Sequence, residues 1–287
     1  MGRGRVAVAA ITIDFGNTLV RVDRPGLRDV VEVTGDALVA AGVAPEREAF
    51  LAAWTEERER QFREEVPLLR EVDISQRAGR VIARLRGMPP PPATEPWDDA
   101  AAAALVTPGD VDAVVEAYSA AFVDRMEPVA DATDTLRRLF ERGFSLAILS
   151  NWPLALTIDR FAEAQGWLPY LRSIVVTQRV GSIKPHPAIF RAASESLGLG
   201  EGDGPSILHV GDDWAADVVG AHRAGWRTAH LRGRQDDTPL PTSEPGDDLL
   251  SDASVVPDLV IDELAELDAL VDIAPKRDRR LRPAPTS

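Results

Sequence analysis

Cysteine is absent from the chain. Its absence excludes disulfides, thiol catalysis and cysteine-ligated metals together, and agrees with a reducing, cytoplasmic setting. Lysine is nearly missing too: Lys184 and Lys276 are the only two, in a chain rich in arginine. A compact ammonium kept amid so many guanidiniums marks a place where its particular chemistry is needed. No apolar run approaches the roughly 20 residues that span a bilayer, so no membrane role is expected. Arg3 and Arg5 do precede the apolar stretch Val6 to Ile13, but Asp14 ends it at once. An export signal needs a longer apolar core and a small-residue cleavage site, so a buried first strand is expected here. Positive charge is also short: 32 basic residues face 46 acidic ones, a net charge of −14. Such a surface repels phosphate backbones, which argues against a nucleic-acid partner.

What is present suits a folded enzyme. Hydrophobic residues make up 45% of the 287, enough for a packed core in one large domain or a core with an inserted module. Val6 to Asp14 predicts a largely apolar strand, and similar strands are expected at Ser145 to Ser150, Ser173 to Thr177, Ser206 to Gly211 and Arg227 to Leu231, with a last one at Leu259 to Ile261. Helical patterns fill the gaps at Ala130 to Arg142, Leu154 to Gln165, Pro187 to Leu197, Asp213 to Ala224 and Asp262 to Val271. Alternation of buried strands with helices predicts an α/β fold, a Rossmann-like doubly wound parallel sheet. Between the first two strands, Leu27 to Ala41, Pro45 to Glu65, Ile74 to Arg86 and Val111 to Arg125 all carry helical periodicity and predict an inserted all-helical cap. The proline-rich stretch Met88 to Pro96 predicts a loop inside it. The expected division is a core of residues 1–20 and 127–274, a cap of 21–126, a mobile loop at 233–254 and a disordered tail at 275–287.

Four segments lie at or beyond the carboxyl ends of the predicted parallel strands, the edge where open α/β sheets bind ligands. They are Asp14-Phe15-Gly16-Asn17-Thr18-Leu19, Ser150-Asn151, Lys184-Pro185, and Gly211-Asp212-Asp213 with Asp217. Each alone is commonplace. In this order they offer a carboxylate nucleophile, a hydroxyl, an ammonium and a second carboxylate cluster, a set suited to phosphoryl transfer. Of the histidines, His209 in a buried strand and His186 and His222 near helix ends are expected to be structural. Trp152 suits the cavity wall and the core equally. Arg21 and Arg24, where the chain leaves the first motif, are weak candidates for gripping a substrate anion. The helix arginines Arg58, Arg60, Arg63, Arg70, Arg77, Arg80 and Arg84 are expected mostly on a solvated face.

With these motifs in hand, the chain resembles the haloacid dehalogenase-like (HAD) superfamily. Asp14 to Leu19 is similar to its first motif, Ser150 to its second, Lys184 to its third, and Gly211 to Asp217 (GDDWAAD) to its fourth. Two longer stretches, VGSIKPHPAIF from Val180 and HVGDDWAADVVGAHRAG from His209, resemble the subfamily with a helical cap between the first two motifs. The resemblance implies a hydrolase acting on a small phosphorylated metabolite. Asp14 would attack phosphorus and form an aspartyl-phosphate. Mg²⁺ would be held by Asp14, the carbonyl of Gly16, Asp212 and Asp217. Ser150 and Lys184 would engage the phosphoryl oxygens, and Asn151 would help orient the substrate; Asp213 is a less secure candidate. The resemblance leaves monomer and homodimer both open.

Gly16 breaks the pattern. In the phosphatases that this chain resembles, a second aspartate two residues after the nucleophile serves as general acid and base, work worth roughly 10²–10⁴-fold. A phosphonatase alternative requires a cap lysine, yet no lysine precedes Lys184. A 2-haloacid dehalogenase needs no metal and so does not account for the Asp212/Asp217 pair. Two readings stay open: a phosphatase for activated leaving groups such as acyl phosphates, or a phosphate-binding regulatory module with little turnover.

Overall fold

The computed structural model describes residues 5–200, 202–232 and 238–274, so the tail from residue 275 and the start of the 233–254 loop lie outside it. Ten strands occur among the described residues: β1 (Val6–Val8), β2 (Ala10–Ile13), β3 (Val20–Arg21), β4 (Glu127–Pro128), β5 (Ser145–Ser150), β6 (Leu171–Val176), β7 (Ile207–Gly211), β8 (Arg227–Leu231), β9 (Leu259–Ile261) and β10 (Val271–Ile273). Six of them form an all-parallel sheet in the order β6-β5-β2-β7-β8-β9. Every residue of β2 and of β7 is buried, as a strand covered on both faces requires. From β2 the chain winds outward through β5 and β6, then returns to β7 on the other side. The switch point of this doubly wound sheet therefore lies beside the carboxyl end of β2.

The expected single strand from Val6 to Asp14 is broken at Ala9. The Ala9 amide donates to Ser206 and its carbonyl accepts from Ser145, which holds it in the main sheet. β1 bends away and pairs in parallel with β10, a strand too short to show a pattern in the sequence. The helix expected at Asp262 to Val271 shrinks to a 3₁₀ turn and a single helical turn, because Val271 is drawn into β10.

Five helices stand between β3 and β4: α1 (Arg24–Ala40), α2 (Arg47–Glu65), α3 (Ile74–Leu85), α4 (Asp99–Ala103) and α5 (Pro108–Arg125). The antiparallel pair Val20↔Pro128 and Arg21↔Glu127 ties the two ends of this insertion together. Asp23 caps α1, Asp73 caps α3 and a Thr107/Asp110 capping box starts α5, each giving orphan helix amides a partner. Phe122 on α5 packs against Phe15 after β2 and against Trp152 and Phe161 beyond β5. One apolar core thus runs through sheet and insertion alike.

The helix arginines are less solvated than expected: Arg60, Arg77 and Arg80 are buried. The proline-rich stretch and α4 fold back over α2 and α3 and supply acceptors. Arg60 donates to the carbonyls of Pro91 and Pro92, and Arg80 makes a two-point bond to Asp99 at 2.8 and 3.0 Å. The remaining helices belong to the sheet: α6 (Ala132–Glu141), α7 (Ala155–Ala164), α8 (Thr177–Val180), α9 (Pro187–Ser196), α10 (Gly220–Arg223) and α11 (Leu267–Leu270). A π-helical turn, Trp214–Val219, leads into α10. Among the described residues no helix is long and apolar enough to cross a membrane.

Candidate active site

Asp14 follows β2 directly, with its amide donating to the Val210 carbonyl of β7. The chain then turns sharply. The amides of Leu19 and Val20 donate to the Phe15 carbonyl, and Asn17 adopts a left-handed φ of 59°, a conformation asparagine tolerates better than most residues. This turn aims the Asp14 carboxylate at the switch point.

Lys184 is buried and its ammonium is fully engaged. Nζ donates to Asp14 Oδ1 at 2.7 Å, to Asp217 Oδ1 at 2.6 Å and to the Leu149 carbonyl at 3.0 Å. Asn151 fixes the backbone of that lysine: its Oδ1 accepts from the Lys184 amide at 2.7 Å and its Nδ2 donates to the Lys184 carbonyl at 3.2 Å. The side chain expected to orient substrate is therefore occupied in holding the lysine. Asp217 also accepts from His209 Nε2 at 2.9 Å and from the Asp213 amide at 3.0 Å. His209, legible only as a core histidine, sits on Thr12 Oγ1 at 2.8 Å and braces Asp217 from beneath. Gly211 permits this approach, since a Cβ there would lie 2.2 Å from the Asp217 carboxyl.

Asp14, Asp212 and Asp217 each offer a carboxylate oxygen, and these atoms lie within 4.8 Å of one another. All three are buried, and one ammonium cannot neutralise them. Burial pushes Asp14 up to about 7 against the pull of Lys184. Burial acts on Asp217 in the same sense, but Lys184 and His209 outweigh it and hold that carboxyl well below the usual range. Lys184 is likewise desolvated, yet its two carboxylate partners raise it above the ordinary lysine value. Burial lowers His209 despite the neighbouring Asp217 carboxylate, which favours the neutral ring. An all-oxygen set carrying excess negative charge could hold a hard divalent cation. Ser150 Oγ, at the end of β5, is buried with no hydrogen-bond partner; its residue does not line the adjoining cavity.

That cavity has a volume of about 350 Å³ and brings Asp14, Gly16, Asn151, Trp152, Lys184, Asp212 and Asp217 together with residues of the insertion. Arg21 and Arg24 are exposed and do not line it. Arg58, Glu71, Arg77 and Tyr118 do, and periodicity gave no sign of them. Glu71 accepts from the Val72 amide at 2.8 Å and from the Thr177 hydroxyl, and burial pushes its carboxyl up to about 8.

The described part of the 233–254 loop closes another wall, with Pro239, Leu240 and Pro241 lining the cavity. Asp213 anchors it, accepting from the Ser243 amide and hydroxyl at 2.8 Å each. The Leu240 side chain occupies the place where a residue at position 16 would project: a Cβ on Gly16 would meet Leu240 Cδ1 at 2.5 Å. Gly16 has no left-handed φ, so the backbone does not demand glycine there, and a side chain at that position would have to displace the end of the Leu240 side chain.

A family model described as haloacid dehalogenase-like hydrolase matches residues 8–225. A ribulose-1,5-bisphosphate 5-phosphatase from Halopiger xanaduensis is 31% identical over 121 residues, 42% of this chain and 49% of that protein. A glyceraldehyde 3-phosphate phosphatase from Methanopyrus kandleri is 30% identical over 158 residues, 55% of this chain and 62% of that protein. The matches thus span about half the length of these relatives. A 2-haloacid dehalogenase from Pseudomonas syringae superposes with a TM-score of 0.59 at 20% identity, covering 92% of this chain and 97% of that one, a likeness of fold.

Proposed function

The chain belongs to the haloacid dehalogenase-like hydrolases, and on that footing we propose that it is a Mg²⁺-dependent phosphatase acting on a small phosphorylated metabolite. The observation that carries this reading is the meeting of Asp14, Asp212, Asp217 and Lys184 at the switch point of the sheet. The carboxylates of Asp14 and Asp212 and the Gly16 carbonyl would hold the cation, with Asp217 supporting the site through Lys184. When bound, the cation supplies positive charge that screens Asp14 from the phosphoryl oxygens and favours its ionised form. Asp14 then attacks phosphorus, its carboxylate oxygen forming the new P–O bond as the leaving oxygen departs with the old bonding pair. Lys184 offsets charge on the phosphoryl group. Water hydrolyses the resulting aspartyl-phosphate. We read the insertion, residues 21–126, as the cap that sets substrate choice.

Gly16 supplies no proton, and a Cβ at that position would meet the end of the Leu240 side chain. Leaving groups that depart as stable anions, such as acyl and aryl phosphates, suit this site best. The same leucine favours a second reading, a phosphate-binding module with little turnover. A panel of acyl phosphates, aryl phosphates and sugar phosphates, assayed with and without Mg²⁺, separates the two. Faster release from acyl and aryl phosphates, lost in Asp14→Asn, supports the phosphatase. A fluoride-mimic complex at Asp14 without measurable release on any ester supports the module. The three buried carboxylates argue against metal-free dehalogenation.

A further inference from the structure

The cavity holds a second cationic group that the phosphoryl chemistry does not use. Arg77, on α3, is 3% exposed. Its Nε donates to Gln61 Oε1 at 2.9 Å and its guanidinium lies 5.0 Å from the Trp54 ring centroid. Its Nη2 is buried with no hydrogen-bond partner, and among the described residues no carboxylate pairs with it. The neighbouring helix arginines are treated differently: Arg80 has Asp99, Arg84 has Glu57, and Arg60 has two carbonyls. A fold able to pair its arginines leaves this buried guanidinium with no ion pair in contact and one Nη unpartnered at the cavity wall, with Asp73 and Glu71 acting on it only from a distance, an arrangement that is costly unless a ligand completes it.

Arg58 on α2 lines the same cavity, its guanidinium 4.8 Å over the Phe62 ring and joined to no acid among the described residues. Tyr118 stacks on Trp54 beside them, and burial pushes its hydroxyl up to about 12, so it stays a donor. Glu71 shares this end of the cavity, but its carboxyl, held up to about 8, is mostly protonated at neutral pH and does not cancel Arg77. Leu69, Val72 and Ile74 are among the apolar residues that line the same cavity.

We propose that Arg77 and Arg58 form a second anion subsite, which takes a carboxylate or second phosphate on a substrate whose body is apolar or uncharged. The inference rests on the phosphatase reading, because it assigns the far end of the same ligand. Arg77 supplies a planar fork suited to two-point recognition of such an anion.

The test compares phenyl phosphate with 4-carboxyphenyl phosphate, binding each by calorimetry to the full chain carrying Asp14→Asn in the presence of Mg²⁺. The carboxylated ester is expected to bind at least about tenfold more tightly, and Arg77→Met is expected to bring that preference to within about twofold. Arg58→Gln, at a half-buried position, is expected to reduce it in the same direction and decides the matter if Arg77→Met does not fold. A purely packing role for Arg77 shifts the melting temperature without changing the affinity ratio. Equal binding of the two esters, or a preference that survives both substitutions, overturns the subsite while leaving the phosphatase reading in place. Binding of neither ester contradicts the phosphatase reading and the subsite with it.

Discussion

Leu240 makes a double substitution more informative than a single one. Gly16→Asp restores the carboxyl that the relatives' chemistry would place two residues after Asp14, and proton transfer of that kind is worth roughly 10²–10⁴-fold. In this chain the new Cβ would lie 2.5 Å from Leu240 Cδ1, well inside contact distance. Relieving such overpacking typically costs about 1–3 kcal/mol, and each 1.36 kcal/mol is tenfold in rate. The clash offsets roughly one to two of those two to four decades, so Gly16→Asp alone is expected to raise turnover of a sugar phosphate by no more than about 100-fold. Leu240→Ala removes the obstructing methyls from a loop side chain that is only partly buried, so its own stability cost stays at the low end. Gly16→Asp with Leu240→Ala is then expected to exceed the product of the single effects by at least about tenfold. Phosphate release from a sugar phosphate and an aryl phosphate, measured as kcat/KM for the four proteins of the cycle, reads this directly. The aryl phosphate should gain less, since its leaving group needs little protonation. Full recovery by Gly16→Asp alone, or strict additivity of the two changes, would refute the role assigned to Leu240.

Other positions give separate tests. Gly211→Ala places a Cβ 2.2 Å from the Asp217 carboxyl, and should cost about 1–3 kcal/mol in denaturant melts and at least about 100-fold in turnover; wild-type activity would show that Asp217 can move without consequence. Glu71 has a folded pKa of about 8 against an ordinary 4.5, so the folded state keeps a proton that the unfolded chain has released between those values. Its stabilising contribution is complete below about pH 4.5 and is lost as pH rises towards 8, so Glu71→Gln should gain on wild type by up to about 1.4 kcal/mol per pH unit across that window. A pH-independent difference would contradict this. Mg²⁺ at 100 times its Kd should stabilise the wild type by about 2.7 kcal/mol, reversibly with chelator, and Asp212→Asn should remove most of that shift; an unchanged shift in the variant would move the cation elsewhere.

Asp14, Lys184, Asp212 and Asp217 were legible because parallel strands place their carboxyl ends at one edge, so sequence order alone predicts proximity. Lys184 also stood out as one of two lysines. The insertion was a different matter. Arg77 and Arg80 are three residues apart on one helix with the same side-chain chemistry, and only the fold gives one of them Asp99 and the other a cavity. Glu71 lies in the turn before α3, where no periodicity applies. Leu240 was hidden in a stretch whose proline, aspartate and serine content reads as solvated loop; a leucine between two prolines was the one signal available. His209 was read as a core residue from its strand, which is where it lies, but its bond to Asp217 depends on the close approach at Gly211.

The central claim is that Asp14 is the nucleophile of a metal-assisted phosphoryl transfer. Its most direct test is to incubate the wild-type chain with an acyl or aryl phosphate and Mg²⁺, reduce the mixture with borohydride and map the product by mass spectrometry. Reduction of an aspartyl-phosphate at Asp14 to homoserine, dependent on Mg²⁺, is the predicted result. Phosphate release that proceeds equally well in Asp14→Asn, with no modification at residue 14 of the wild type, would contradict it.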